Sequence, residues 1–188
     1  MKKKSPLRGF VVIALLIAAA VLLVRHFHIK NFNIIQEGVL YTSGQPRGMD
    51  YARLLYKYHI GTIINLRSPA EHREKNWHNE EITWVRSNGV KYFEMPLDRD
   101  INVPGHFPDA NMQERFLDIM NEKENVPILV HDGSGESRSA MLVAVWIVRG
   151  RQSQPVPGGV EQILETAEKI KNEPLVDAET RFIQGLFR

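Results

Sequence analysis

One stretch of this chain is apolar without interruption; elsewhere apolar and polar positions alternate on short periods. Phe10–Val24 carries no polar residue at all. Beyond it, short β-branched runs punctuate the chain. Phe32–Ile35 and Val39–Thr42 read as two strands around a turn at Glu37-Gly38, and Thr62–Leu66, Val90–Met95 and Val126–Val130 read as three more. Helical spacing lies between them. Met49, Leu54, Leu55 and Tyr58 share one face of a helix over Met49–Tyr58, and Met112, Phe116, Leu117 and Met120 do the same over Asp109–Glu122. Ser68-Pro69-Ala70-Glu71 is a helix start, with Ser68 as cap, Pro69 at the first position and Glu71 three residues on. The polar segment that follows reads as mostly helical to Ser87, and Asn88-Gly89 breaks it. Its Trp77 and Trp84, seven apart, are expected to pack on the sheet rather than to form a recognition surface. Pro96–Pro108 is a long loop. A helix runs from Ser139 to Gly150, a Pro/Gly loop covers 151–159, a helix covers 160–172, and Asp177 caps a last helix to Phe187. Strands alternating with helices imply an α/β sandwich around a mostly parallel sheet, with ligands bound beyond the carboxyl ends of the strands.

The apolar run changes the picture at the N-terminus. As a helix it spans roughly 22 Å, against about 30 Å of bilayer hydrocarbon, and Lys2–Lys4, Arg8 and Arg25 flank it. It reads as an uncleaved transmembrane anchor at 10–24, with a basic segment at 1–9, a linker at 25–31 and the domain at 32–188. A cleaved signal peptide is the alternative. Ala18-Ala19-Ala20 would serve as its site but would leave Val-Leu-Leu-Val at the new terminus. The basic excess before the run puts the N-terminus in the cytoplasm and the domain outside it, in the periplasm of a Gram-negative cell. Charge matters only after this leader is set aside. The chain carries a formal +2, but residues 1–24 hold four basic residues and no acid, which leaves 20 basic against 22 acidic residues in the remainder. No basic face is indicated, so nucleic acid is not an expected partner. The absence of cysteine excludes disulfides, thiolate metal sites and a thiol nucleophile together.

The densest chemistry lies at Val-His-Asp-Gly-Ser-Gly-Glu-Ser-Arg-Ser, residues 130–139. An apolar strand enters it and a helix leaves it. Such a loop turns successive backbone N–H groups inward at a helix N-terminus, where the dipole favours an anion. Gly133 and Gly135 are expected to supply positive φ and close backbone approach. Arg138 supplies a planar fork of donors, and Ser139 a hydroxyl at the helix start. Gly133, Ser134, Gly135, Glu136, Ser137 and Arg138 are the candidate phosphate-binding residues. By itself a Gly-x-Gly before a helix is a weak signal.

The spacing His131-Asp132-x5-Arg138-Ser139 resembles the His-Cys-x5-Arg-Ser/Thr signature of the cysteine-dependent phosphatases. Gly38–Pro46 looks like the opening motif of the bacterial dual-specificity and tyrosine phosphatase family. Ile63–Arg67 is similar to its Asn-Leu-Arg strand end, and Glu94–Asp98 resembles the segment that carries its mobile acid. These landmarks stand in family order over about residues 32–185. The resemblance implies a three-layer, protein-tyrosine-phosphatase-like sandwich. It implies in-line attack on phosphorus from position 132 through a phosphocysteine, with His131 holding the loop. Arg138 and the loop amides would bind the equatorial oxygens. Asp98, or failing it Asp100, would be the general acid. It implies no cofactor and no metal, and the histidines look scattered, without ligand spacing. The implied partner is a phosphorylated protein or a small or lipid phosphomonoester.

The departure is at the nucleophile, where Asp132 replaces cysteine. A carboxylate keeps the charge but is harder, less nucleophilic and longer. Facing N–H donors and Arg138, it is expected to stay ionised and to fold into the cradle itself. Three readings follow: a phosphatase-fold protein that binds phosphate but is disabled in hydrolysis; an active phosphatase working through an Asp132 acyl-phosphate, which would want Mg²⁺; and a membrane-tethered interaction domain with no phosphate role.

Overall fold

The computed structural model of the chain describes residues 10–17, 19, 28–150 and 158–188. Its centre is a five-stranded sheet in the order β1-β2-β5-β3-β4. The strands are β1 Asn33–Gln36, β2 Leu40–Ser43, β3 Thr62–Asn65, β4 Lys91–Glu94 and β5 Ile128–His131. Only β1 runs antiparallel, paired to β2; the β2·β5, β3·β5 and β3·β4 pairs are parallel. The sheet is therefore mixed, and as parallel as the alternation of elements implies. Register aligns Ser43, His131, Asn65 and Glu94 at the carboxyl ends of the four parallel strands. Everything chemical in the protein is built from that row outward.

Strand side chains alternate between two cores, as a period of two demands. Leu40, Ile64, Ile128 and Val130 face one core, which α5 Ala110–Asn121, α6 Ser137–Val145, α7 Gly159–Lys171 and α8 Asp177–Gly185 complete. Tyr41, Ile63 and Leu129 face the other, with α2 Met49–Tyr56 and α4 Trp77–Asn88. Helix α6 lies between sheet and helices, and every residue from Arg138 to Val145 is buried; a helix apolar nearly all round is the type that sits in a core.

The helix ends follow their capping residues. Asp109 accepts from the Met112 N–H at 2.8 Å and starts α5. Gly89, at φ +66°, ends α4. The polar segment after Ser68 is two helices, not one: α3 Pro69–Glu74 stops at an extended Lys75, and α4 starts at Trp77. The helix after the cradle leaves the α form at Trp146–Gly150, a π turn. Asp177 is the first residue of α8 rather than its cap; Glu179 reaches back to the Val176 N–H at 2.9 Å. Helical residues 10–17 form α1. No helix among the described residues is long and apolar enough to cross a membrane. Residues 18 and 20–24 of the expected anchor, the basic segment 1–9, part of the linker and most of the 151–159 loop lie outside the described residues.

Candidate active site

Strand β5 delivers its last residue, His131, into the row of strand ends, and the chain then turns through 132–136 into α6. The turn is tight because two glycines meet. A Cβ on Gly135, itself at φ +77°, would collide with the backbone of Ser43 and Gly44, and one on Gly44 would sit 2.8 Å from the Ser134 carbonyl. The Thr-Ser-Gly-Gln-Pro segment is thus the wall against which the cradle is pressed. Gly133, by contrast, has no positive φ; a Cβ there would meet Glu71 Oε1 at 3.4 Å. The expectation of positive φ holds for one glycine of the two.

Asp132 points into the cradle and is almost wholly buried. Its Oδ1 accepts from the Ser134 N–H at 2.8 Å and the Gly135 N–H at 2.6 Å. Its Oδ2 accepts from the Ser139 N–H at 3.1 Å and the Ser139 hydroxyl at 2.8 Å. Burial alone would raise its pKa, but Arg138 and these donors outweigh burial and lower it. The amides of Gly133, Glu136, Ser137 and Arg138 have no partner among the described residues. The Glu136 carboxylate turns outward and accepts from the Asn31 amide at 3.1 Å.

Arg138 is equally engaged. Its guanidinium donates to both oxygens of Glu71, at 2.6 and 2.9 Å, and to the carbonyls of Leu97 at 3.0 Å and Leu66 at 3.3 Å. Burial works to raise the Glu71 pKa, yet Arg138 and the Ser68 N–H bring it down to about 2. Glu71 therefore has two duties, as partner of the Ser68 cap and as counter-ion of the cradle arginine.

Behind the loop lies a second buried layer. His131 Nε2 is 3.0 Å from Glu81 Oε1, and both side chains are fully buried. Glu81 also accepts from Gln45 at 3.3 Å, Asn65 at 3.1 Å and the Tyr92 hydroxyl at 3.0 Å. Burial opposes the charge on Glu81, but His131 and these donors lower its pKa.

In front of the cradle is a cavity of about 560 Å³. The Pro96–Pro108 loop contributes Arg99, Ile101 and His106 to its lining, not Asp98 or Asp100. Asp98 is exposed, and its carboxylate accepts the Asp100 N–H at 2.8 Å; Asp100 accepts from Asn102. Neither carboxylate lines the cavity, though the Asp98 charge is near enough to help raise the Arg138 pKa. His106 stands at the cradle, with Nε2 2.8 Å from the Ser137 hydroxyl and Nδ1 3.0 Å from the Asp98 carbonyl. Burial, assisted by Arg138, lowers its pKa. The Ser137 hydroxyl also bonds Glu179, which pairs with Lys171 at 2.8 Å.

The mouth is basic. Lys30, Arg47, Lys75 and Arg99 line it, and buried Arg67 lies beneath. Arg47 lies 3.5 Å from the Trp77 ring centre and Lys75 4.6 Å. The two tryptophans therefore part company: Trp84 packs on Tyr51, ring centres 5.0 Å apart, while half-buried Trp77 stands at the mouth. Both lie on α4, Trp77 at its first residue and Trp84 two turns on, and they differ in what they meet rather than in helix face.

Glu71, Glu81, His106, Glu179 and Trp77 were not read from the sequence as site residues. The Ser68–Glu71 cap was the one local signal near them. The fold brings them in from α3, α4, the Pro96–Pro108 loop and α8.

A strand, a tight amide loop with a fixed arginine and a buried helix, at the carboxyl ends of a parallel sheet, define a phosphatase-type anion cradle. A family model described as DSP-PTPase phosphatase fused to NAD+ kinase matches residues 25–180, and the chain belongs to that family. Among curated proteins it is similar to inositol diphosphatase DSP3 of Arabidopsis thaliana, 25% identical over 114 residues, which are 61% of this chain and 52% of that protein. It is likewise similar to inositol diphosphatase DSP4 of the same plant, 28% identical over 60% of this chain and 52% of that one. The chain thus spans about half the length of these relatives. Among solved structures, its fold is similar to the core catalytic domain of the PP-IP phosphatase Siw14 from S. cerevisiae, with a TM-score of 0.64, 20% identity, and coverage of 83% of this chain and 85% of that one. It is also similar to PTPMT1 in complex with PI(5)P, with a TM-score of 0.59, 18% identity, and coverage of 82% and 93%.

Proposed function

We propose that this chain is a membrane-anchored member of its phosphatase family that binds a multiply phosphorylated small molecule and is disabled in the hydrolytic step. One observation carries the proposal: both oxygens of Asp132 already hold the amides and hydroxyl of the cradle. No thiolate is present to attack phosphorus, and a hydrogen-bonded, ionised carboxylate is a poor substitute. An acyl-phosphate route is disfavoured on the same ground, because neither oxygen is free for in-line attack.

The mouth supports the ligand class. Several cations around a wide cavity suit more than one phosphate group. The relatives named as inositol diphosphatases, and the neighbour holding PI(5)P, point the same way. The apolar run at 10–24 supplies the anchor, with the N-terminus cytoplasmic and the domain outside.

Titration calorimetry of the full chain with inositol hexakisphosphate tests the ligand. Saturable binding that weakens as salt rises is expected. Absence of binding, with Arg138 and the mouth cations intact, overturns the proposal and leaves the interaction-domain reading.

A further inference from the structure

On the other side of α3 from the cradle, three ligating side chains meet that the cradle chemistry does not use. His72 on α3, His78 on α4 and Glu94 at the end of β4 bring one ligand atom each within 4.8 Å of one another. The two imidazoles lie face to face, ring centres 3.9 Å apart and 8° from parallel. His78 Nε2 is 3.5 Å from Glu94 Oε1, and its Nδ1 is buried without a hydrogen-bond partner among the described residues.

We propose that His72, His78 and Glu94 form a binding site for a divalent transition metal, zinc by preference, with water at a fourth position. Tetrahedral zinc with bonds of about 2.0–2.1 Å sets its ligand atoms roughly 3.4 Å apart. The His78–Glu94 separation already matches that edge, and binding would turn His72 out of the ring stack so that its in-plane lone pair converges with that of His78. Two nitrogens and one carboxylate select zinc, cobalt, nickel or copper over magnesium or calcium. The site opens to its own depression of about 440 Å³, lined by His72, Arg73, Lys75, Asn76, His78 and Asn79. No cradle residue lines it.

Its position gives it a consequence. The metal would tie the six-residue α3 to α4 and β4, and α3 carries Glu71, the partner of Arg138. Asn65 extends the link. Its amide lies 3.4 Å from His72 Nε2 and bonds Glu81, the partner of His131. The metal is thus a clip on the elements that hold the cradle, and the inference is independent of whether the cradle hydrolyses or binds phosphate.

The test is zinc titration of the full chain after removal of metal by a chelator, with thermal unfolding in parallel. One zinc per chain is expected, with a rise in Tm. His78→Ala should weaken binding about 100-fold. Glu94→Gln alters a carboxylate with an exposed side chain and so leaves the fold intact; it should weaken binding about tenfold, near the scale of losing an outer contact. His59→Ala, at an exposed histidine elsewhere, should bind as the parent does. Cobalt should give visible d–d bands that His78→Ala removes. No saturable zinc binding, or binding that Glu94→Gln and His78→Ala both leave unchanged, overturns the inference.

Discussion

The floor and the mouth of the cavity use charge in opposite ways. On the floor, every charge is answered from within. Asp132 is held by amides and Ser139, Arg138 by Glu71 and two carbonyls, and His131 by Glu81. At the mouth, Lys30, Arg47 and Lys75 have no ion pair among the described residues; Arg47 and Lys75 lie against Trp77 instead. A floor that neutralises itself gains order, and under the proposed function it gives up reactivity. A mouth that keeps its cations keeps its attraction for an anion from solution. Under the proposed function, a carboxylate at position 132 is what separates two roles of such a site, chemistry and capture.

The sharpest way to break the comparison is to empty the floor. Asp132→Cys places a thiolate beneath an intact ring of donors, and metal-independent turnover of an aryl phosphate should rise by about four orders of magnitude or more, since losing a covalent nucleophile elsewhere costs about 10⁶ in kcat. Adding Arg138→Ala should erase the gain. A folded Asp132→Cys protein that turns over no phosphomonoester would show that the floor lacks more than its nucleophile.

Next in size is the Glu71–Arg138 pair. Glu71→Gln leaves a buried guanidinium without its anion and should cost about 3 kcal/mol of stability by urea unfolding at pH 7. The pair also sets a pH dependence. The Glu71 pKa is depressed in the folded state, from 4.5 to about 2. Its contribution is therefore complete above about pH 4.5 and is lost as pH falls toward 2. Asp132, Glu81 and Glu179, also lowered, lose stability in the same direction. Unfolding measured from pH 7 to pH 3 should show a fall on the acid side that is shallower in Glu71→Gln.

The smallest effects belong to the mouth. Arg47→Ala and Lys75→Ala should each weaken inositol hexakisphosphate binding by about two- to fivefold, consistent with roughly 0.5–1 kcal/mol per exposed cation. Stability should barely change, and the effect should shrink at high salt. An equal loss in stability would mean that the mouth is structural after all.

What the sequence showed and what it hid divide along the same line. The floor loop is contiguous: an apolar strand, glycines, Arg138 and a helix start stand within ten residues, so His131 through Ser139 could be read directly. The residues that answer those charges are not contiguous with them. Glu71 looked like a helix cap and is one, but its second bond crosses to α6. Glu81 sat on a polar helix with no mark of its burial. Asp98 followed from resemblance; its carboxylate accepts the Asp100 N–H, and His106, which no spacing marked, lines the cavity. His72 and His78 looked scattered because the Lys75-Asn76 break folds α4 back beside α3, a geometry that spacing along one helix does not express. Of the anchor expected at 10–24, residues 18 and 20–24 lie outside the described residues.

The central claim is that the Asp132 carboxylate holds the donors a phosphate would otherwise take. Calorimetric titration of orthophosphate into the full chain and into Asp132→Ser, a small uncharged replacement that leaves the loop, Glu71 and Arg138 in place, tests it most directly. Removing one negative charge and freeing three amides should tighten binding about 100-fold, near 2.8 kcal/mol. Equal affinity in the two proteins would contradict the account.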